Sequence, residues 1–136
     1  MEIDARLTQG GIILGELSLC KVILKDNALF PWVVLVPLRP EKVELIDLTK
    51  DDRHLLMDEI VHVSKAMRLV YMPDKMNVAS FGNEVPQLHV HIIARYQQDR
   101  AWPKPIWSIE AEAVPYTDTE KQSRLVSLRD AIGLRT

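Results

Sequence analysis

The segment Gln87-Leu88-His89-Val90-His91-Ile92-Ile93 alternates polar and apolar residues over its first six positions, and this period of two constrains the chain more than any other stretch. A strand sends successive side chains to opposite faces, so Gln87, His89 and His91 share one face while Leu88, Val90 and Ile92 share the other. The apolar face needs a cover, and the sequence supplies one. After Thr49, the residues Leu55, Leu56, Ile60, Val63, Met67 and Val70 recur at steps of three and four, which predicts a helix over about Lys50 to Leu69 with one buried face. Thr49 with Asp52 offers its N-cap and a capping-box-like acid. The two imidazoles are then left on the sheet face turned away from that helix.

The remaining elements follow from the same patterns. A run over Leu17–Lys25 ending at Asp26-Asn27, and a second over Trp32–Val36 ending at Pro37, predict neighbouring antiparallel strands. Gly11–Gly15 is either a short earlier strand or a lead into the first one; periodicity does not separate the two. Pro73-Asp74 ends the long helix, Met76–Phe81 alternates, and Gly82-Asn83-Glu84-Val85-Pro86 supplies turn residues before Gln87–Tyr96, which predicts a hairpin. The prolines within Trp102–Trp107 exclude a helix interior or a central strand, and this rigid segment is expected to reach an interface or the rim of a site. Thr119 with Gln122 is expected to cap a last helix containing Leu125, Leu128 and Ile132. The order gives an α+β fold with an antiparallel sheet of about five strands, one long helix and a C-terminal helix. With 136 residues and no internal linker, the chain reads as a single domain with its core over about 15–98 and a tail and helix over 99–136.

Charge and composition remove several classes of function. Seventeen Lys+Arg against nineteen Asp+Glu leave a formal charge of -2, without the basic excess that a polymeric nucleic acid demands. No apolar run approaches the roughly 20 residues of a bilayer span, and the acidic start Met1-Glu2-Ile3-Asp4 lacks the pattern of an export signal. The single cysteine, Cys20, sits in strand-like sequence with nothing nearby to lower its pKa, so it reads as a buried, inert thiol. A cytoplasmic location is the expectation.

Three readings of the histidine pair compete. The first is two solvated imidazoles on an outer sheet face. The second is a metal site, but zinc requires a third protein ligand on that face, and the only other histidines, His54 and His62, belong to the helix on the opposite side, where they read as solvated. No metal ligand set is therefore assigned. The third is nucleophilic catalysis, because an imidazole with a pKa near 6.5 is largely neutral at pH 7 and attacks phosphorus without a separate base.

The stretch Gln87-Leu88-His89-Val90-His91-Ile92-Ile93-Ala94-Arg95 resembles the signature of the histidine-triad (HIT) superfamily, His-φ-His-φ-His-φ-φ with φ apolar. The trailing residues fix the frame: His91 takes the third triad position, His89 the middle one, and Gln87 stands where the first histidine usually is. Leu35-Val36-Pro37-Leu38-Arg39-Pro40 is similar to the segment that ends the family's preceding strand, and the order of strand, helix and hairpin agrees over about residues 15–98. The resemblance implies a nucleotide hydrolase or nucleotidyl transferase, with His89 as the nucleophile, His91 against the phosphate or leaving group, and Gln87 donating at the edge of the site. Asp26 or Asn27 falls nearest the family's ribose-binding position, and Asn77 and Asn83 fall at amide positions near the phosphates. Dinucleoside polyphosphates and nucleoside phosphoramidates are the implied substrates and a homodimer the implied assembly. No cofactor is required, with Mg²⁺ accompanying a polyphosphate at most.

The sequence departs from the family pattern at Gln87, at Trp32 and Pro40 where histidines are frequent, and at Glu84, a carboxylate near a position where relatives donate to phosphate. These departures motivate two alternatives: a nucleotide-binding regulatory module without turnover, and a metal-binding protein.

Overall fold

The computed structural model describes residues 1–134. A short helix α1 (Ala5–Thr8) precedes three strands, β1 (Gly11–Glu16), β2 (Cys20–Lys25) and β3 (Trp32–Pro37). The long helix α2 (Lys50–Tyr71), β4 (Lys75–Ala79), β5 (Val90–Arg95) and α3 (Asp118–Ile132) follow, with 3₁₀ turns at Leu45–Asp47 and Ile106–Ser108. The five strands form one sheet in the order β1-β2-β3-β5-β4, with every neighbouring pair antiparallel. The α+β architecture is the one expected from the sequence.

One face of the sheet carries the main core. Val22, Leu24, Val33, Leu35, Leu88, Val90 and Ile92 meet Leu56, Ile60, Val63 and Met67 of α2, and Leu125, Leu128 and Ile132 of α3 complete the cluster. Glu59 is the polar residue on the buried stripe of α2. Its carboxylate accepts from the amides of Leu19 and Cys20, both at 2.9 Å, so α2 is fastened to the connection between β1 and β2. Burial, reinforced by that carboxylate, pushes the Cys20 thiol well above its usual range. The cysteine is buried and inert, as the sequence suggests.

Several boundaries differ from expectation for identifiable reasons. Gly11–Glu16 is a strand of its own, and Leu17–Leu19 form its connection to β2, because the Leu17 amide bonds to the Cys20 carbonyl and Glu59 takes the next two amides. A β-bulge between Ile13 and Gly15 leaves Leu14 unpaired and buried; Gly15 there adopts φ +151. Arg129 of α3 donates to the Ile13 and Leu14 carbonyls at this bulge. The long helix runs to Tyr71 and closes on a left-handed Met72 just before Pro73.

Regular pairing of β5 begins at Val90 rather than Gln87. Before it, the Leu88 amide donates to the Lys42 carbonyl and the His89 carbonyl accepts from Ser80, so the backbone is satisfied outside the ladder while the alternation of faces persists. The last helix is capped by Thr117 and Glu120, not by Thr119 and Gln122. Asp26 holds the Tyr116 amide at 2.9 Å and fixes the chain entry one residue ahead of Thr117, and a carboxylate at the third helical position also suits the positive end of the helix dipole. His54 and His62 are both exposed, as the solvated reading expects, and His62 Nε2 also lies 2.7 Å from the Ile132 carbonyl, which ties α2 to the end of α3. Among the described residues no helix is long and apolar enough to cross a membrane.

Candidate active site

The second face of the sheet has two small apolar clusters instead of one large one. Leu7, with Ile3 and Val85 packed beside it, covers Ile23, Val34 and Val36 at one end. Ala101 and Ile106 cover Phe30 and Ile93 at the other, and Trp32 packs against both clusters. Between them lies a cleft of about 430 Å³ that contains His89 and His91. The histidines are only 6% and 9% exposed, which rules out the solvated reading and demands that their ring nitrogens be accounted for.

Both rings have one nitrogen fixed. His89 Nδ1 lies 2.7 Å from the Gln87 carbonyl oxygen, which only accepts, so Nδ1 carries the proton and the neutral ring presents a lone pair at Nε2. His91 Nδ1 accepts from the Trp32 indole at 3.0 Å. The two imidazoles meet edge to face with centroids 5.0 Å apart. Burial first, then the neighbouring His89 and Lys25, bring the His91 pKa down to about 4, so this ring is neutral at physiological pH.

An aromatic wall surrounds His91. Trp107 packs edge-on against it at 4.9 Å and against Phe81 at 4.8 Å, while Trp32 lies 5.7 Å from Trp107. The charged residues of the cleft are Lys25, Arg6 and Glu84. The Lys25 ammonium lies 5.3 Å from the Trp32 ring centroid, and burial lowers its pKa. Arg6 is oriented by the Asp4 carboxylate and by the Glu84 carbonyl.

Of the residues singled out from the sequence, the cleft gathers His89, His91 and Asn83. Gln87 points elsewhere: its Oε1 accepts from the Asp4 amide at 2.7 Å and its Nε2 donates to the Glu2 carbonyl. Asp26 binds the Tyr116 amide and sits 3.4 Å from Lys121, and Asn27 accepts from the Leu29 and Val114 amides. Both tether the segment that leads into α3. Asn77 accepts from Arg95, whose guanidinium is also held by Asp99 and the Lys104 carbonyl. Trp107 reaches the rim as the proline-bounded segment suggests, while Trp102 lies 5.7 Å from the Arg95 guanidinium instead.

Sequence reasoning did not single out Lys25, Arg6 or Phe81. Lys25 was detectable in principle, because Ile23 and Lys25 share a strand parity and therefore a face. Arg6 enters the cleft only through the tertiary placement of α1. Among the described residues no cluster of His, Cys, Asp and Glu is arranged to hold a metal ion.

Comparison with known proteins places this arrangement among relatives. The family model described as "HIT domain" matches residues 8–98. A histidine triad protein from Bradyrhizobium japonicum superposes with a TM-score of 0.93 at 44% identity, over 96% of this chain and 97% of that one. One from Marinobacter aquaeolei gives 0.92 at 39% identity, over 97% and 96%. A bis(5'-adenosyl)-triphosphatase of Saccharomyces cerevisiae is 34% identical over 70 residues, 48% of this chain and 34% of that protein. The chain thus spans about a third of the length of the curated relatives it matches.

Proposed function

Because the chain belongs to the HIT domain family, we propose that it is a nucleotide hydrolase or nucleotidyl transferase in which His89 attacks the α-phosphorus of its substrate. The observation that carries this reading is the 2.7 Å contact between His89 Nδ1 and the Gln87 carbonyl, which holds the ring in the tautomer that offers Nε2 to an electrophile. His91 stands beside it to stabilise charge developing on the phosphoryl or bridging oxygens, and Lys25 and Arg6 supply positive charge for a phosphate chain. The match to a bis(5'-adenosyl)-triphosphatase supports dinucleoside polyphosphates as the first compounds to assay, with Mg²⁺ accompanying them in solution.

The reading includes a homodimer. The outer edge of β4 and a groove lined by Leu45, Met57, Ile60 and Val78 give a second copy an apolar surface to cover.

The experiment is a turnover assay with rapid acid quench and phosphorus detection. His89→Ala should abolish turnover while nucleotide binding persists, and wild-type enzyme should accumulate a nucleotidyl group bonded to His89. Wild-type rates in His89→Ala would reject the covalent route. Tight nucleotide binding without any turnover by the wild-type chain would favour the regulatory module suggested by Gln87 and Glu84.

A further inference from the structure

We propose that Trp32 is a positioning residue that locks His91 as a neutral hydrogen-bond donor, so that the site selects nucleotidyl substrates whose leaving group departs as an anion over those whose leaving group must first gain a proton. The selection rests on the nucleotidyl-transfer reading above; the lock rests on geometry alone. An indole N–H only donates, so the 3.0 Å bond from Trp32 Nε1 requires a lone pair on His91 Nδ1. The single proton of the neutral ring then sits on Nε2. Protonating the ring would set two N–H groups against each other across those 3.0 Å, at a residue only 9% exposed, where little water reaches the bond to relieve the conflict.

The surroundings act in the same direction. His89 meets the His91 ring edge to face, Lys25 of β2 sets a positive charge near it, and Arg6 of α1 lines the same cleft. Trp107 and Phe81 contribute aromatic edges and exclude water. Glu84 is the one carboxylate lining the cleft; it is exposed, and Arg6 lines the cleft with it. Burial and the neighbouring positive groups keep the His91 pKa at about 4.

The consequence lies in the bond that breaks. The His89 Nε2–P bond forms as the bond from phosphorus to the bridging atom breaks, and the electron pair leaves on that atom. A phosphate or sulfate oxygen accepts the pair without a proton, while the His91 Nε2–H donates a hydrogen bond and the Lys25 ammonium offsets the charge. Water then forms a P–O bond as the N–P bond breaks, which regenerates His89 and releases a nucleoside monophosphate and one proton to solvent. An alkylamine leaving group would have to depart as a strongly basic nitrogen anion unless it is protonated. The Nε2 proton of neutral His91 could be given up only by leaving an imidazolate, so it is far too weakly acidic to transfer, and an ammonium such as Lys25 is also a much weaker acid than an imidazolium.

Two measurements test this. Nitrogen-15 NMR of histidine-labelled wild-type protein between pH 5 and 8 should show His91 with Nδ1 unprotonated, Nε2 protonated and no titration. In Trp32→Phe the midpoint should rise, while burial and Lys25, which the variant retains, hold it below 6.5. The opposite tautomer, or a wild-type midpoint near 6.5, would overturn the lock. In parallel, kcat/KM is compared for diadenosine triphosphate and an N-alkyl adenosine 5′-phosphoramidate, which transfer the same nucleotidyl group. Wild type should favour the anhydride by about 10²-fold or more, and Trp32→Phe should narrow that ratio as the pH falls below 6. Equal rates for the two compounds in wild type would overturn the selection. Turnover of neither compound would reject the nucleotidyl-transfer reading and the selection with it, while the tautomer is decided separately by the NMR spectrum.

Discussion

The sheet face toward α2 and α3 is one continuous apolar cluster, whereas the opposite face carries two small clusters separated by the histidine cleft. The first is held by burial, which is non-directional and tolerates exchange of one aliphatic residue for another of similar volume. The second is held by directional polar anchors: Arg95 with Asp99 and Asn77, Trp32 with His91, and Gln87 with the N-terminal segment. A cleft open enough for a ligand cannot also be a closed apolar core, so the chain positions its site with hydrogen bonds whose partners are specified one by one. The site face should therefore respond to the loss of single polar partners, and the helical face, apart from the Glu59 carboxylate that fastens α2, chiefly to lost volume.

Arg95→Ala should give the largest effect on the site face. The guanidinium is almost wholly buried, bonded to Asp99 at 2.7 and 3.0 Å and flanked by Phe30 and Trp102. Removing it leaves the Asp99 carboxylate with no cation beside it and only the amides of Tyr96, Ala101 and Trp102 donating to it, a loss of about 3–5 kcal/mol in comparable buried pairs. Urea unfolding should register that loss. Tryptophan fluorescence should also change in the native baseline, because the segment after Asp99 carries Trp102 and Trp107. A cost below about 0.5 kcal/mol, typical of surface substitutions, would break the comparison by showing that the polar anchors are incidental.

Acidification should come next. His91 has a folded-state pKa of about 4 against 6.5 for the free side chain, so between those values the unfolded chain binds the extra proton. The stabilisation is complete above the unfolded value near 6.5 and is lost as pH falls toward the folded value near 4. A shift of this size corresponds to something on the order of 3 kcal/mol across the window. Urea midpoints for wild type and His91→Gln at pH 7.5 and 4.5 check it: the variant keeps an acceptor for Trp32 but does not titrate, so its pH dependence should be flatter. Equal slopes would place the acid sensitivity elsewhere.

The two faces also differed in how far they could be read from sequence. Period two over Gln87–Ile93 and the steps of three and four after Thr49 located the helical face, because burial leaves a periodic trace in one dimension. The same alternation put His89 and His91 on the other face. The partners of the cleft left no such trace. Lys25, Arg6 and Phe81 come from a strand end, a one-turn helix and a loop, and nothing local says that the sheet order brings them together. Trp32 was visible as a departure from the family pattern, but its bond to His91 depends on the β3–β5 pairing, in which Trp32 stands opposite Ile93 and Val34 opposite His91. Asp26, Asn27 and Asn77 were legible as polar residues near the right elements. Their bonds to residues 114–116 and to Arg95 are long-range and cannot be inferred from neighbouring sequence.

Gln87 is the smallest and sharpest test of the contrast, because it shares the alternation of His89 and His91 in sequence while its side chain serves the periphery. Its Oε1 accepts from the Asp4 amide at 2.7 Å and its Nε2 reaches the Glu2 carbonyl at 3.3 Å. The contribution of His89 depends on the Gln87 backbone carbonyl, which any residue at this position retains. Gln87→Ala should therefore cost about 1 kcal/mol, the ordinary net worth of such hydrogen bonds, and the loss should be local. Amide exchange should accelerate over residues 2–8, since α1 is only one turn long and cannot hold itself, while the α2 amides keep wild-type protection. The chemical step should change little, and nucleotide affinity should weaken modestly as Arg6 loses its fixed position. A fall in kcat as deep as that of His89→Ala, with exchange over residues 2–8 unchanged, would show instead that the Gln87 amide works inside the cleft.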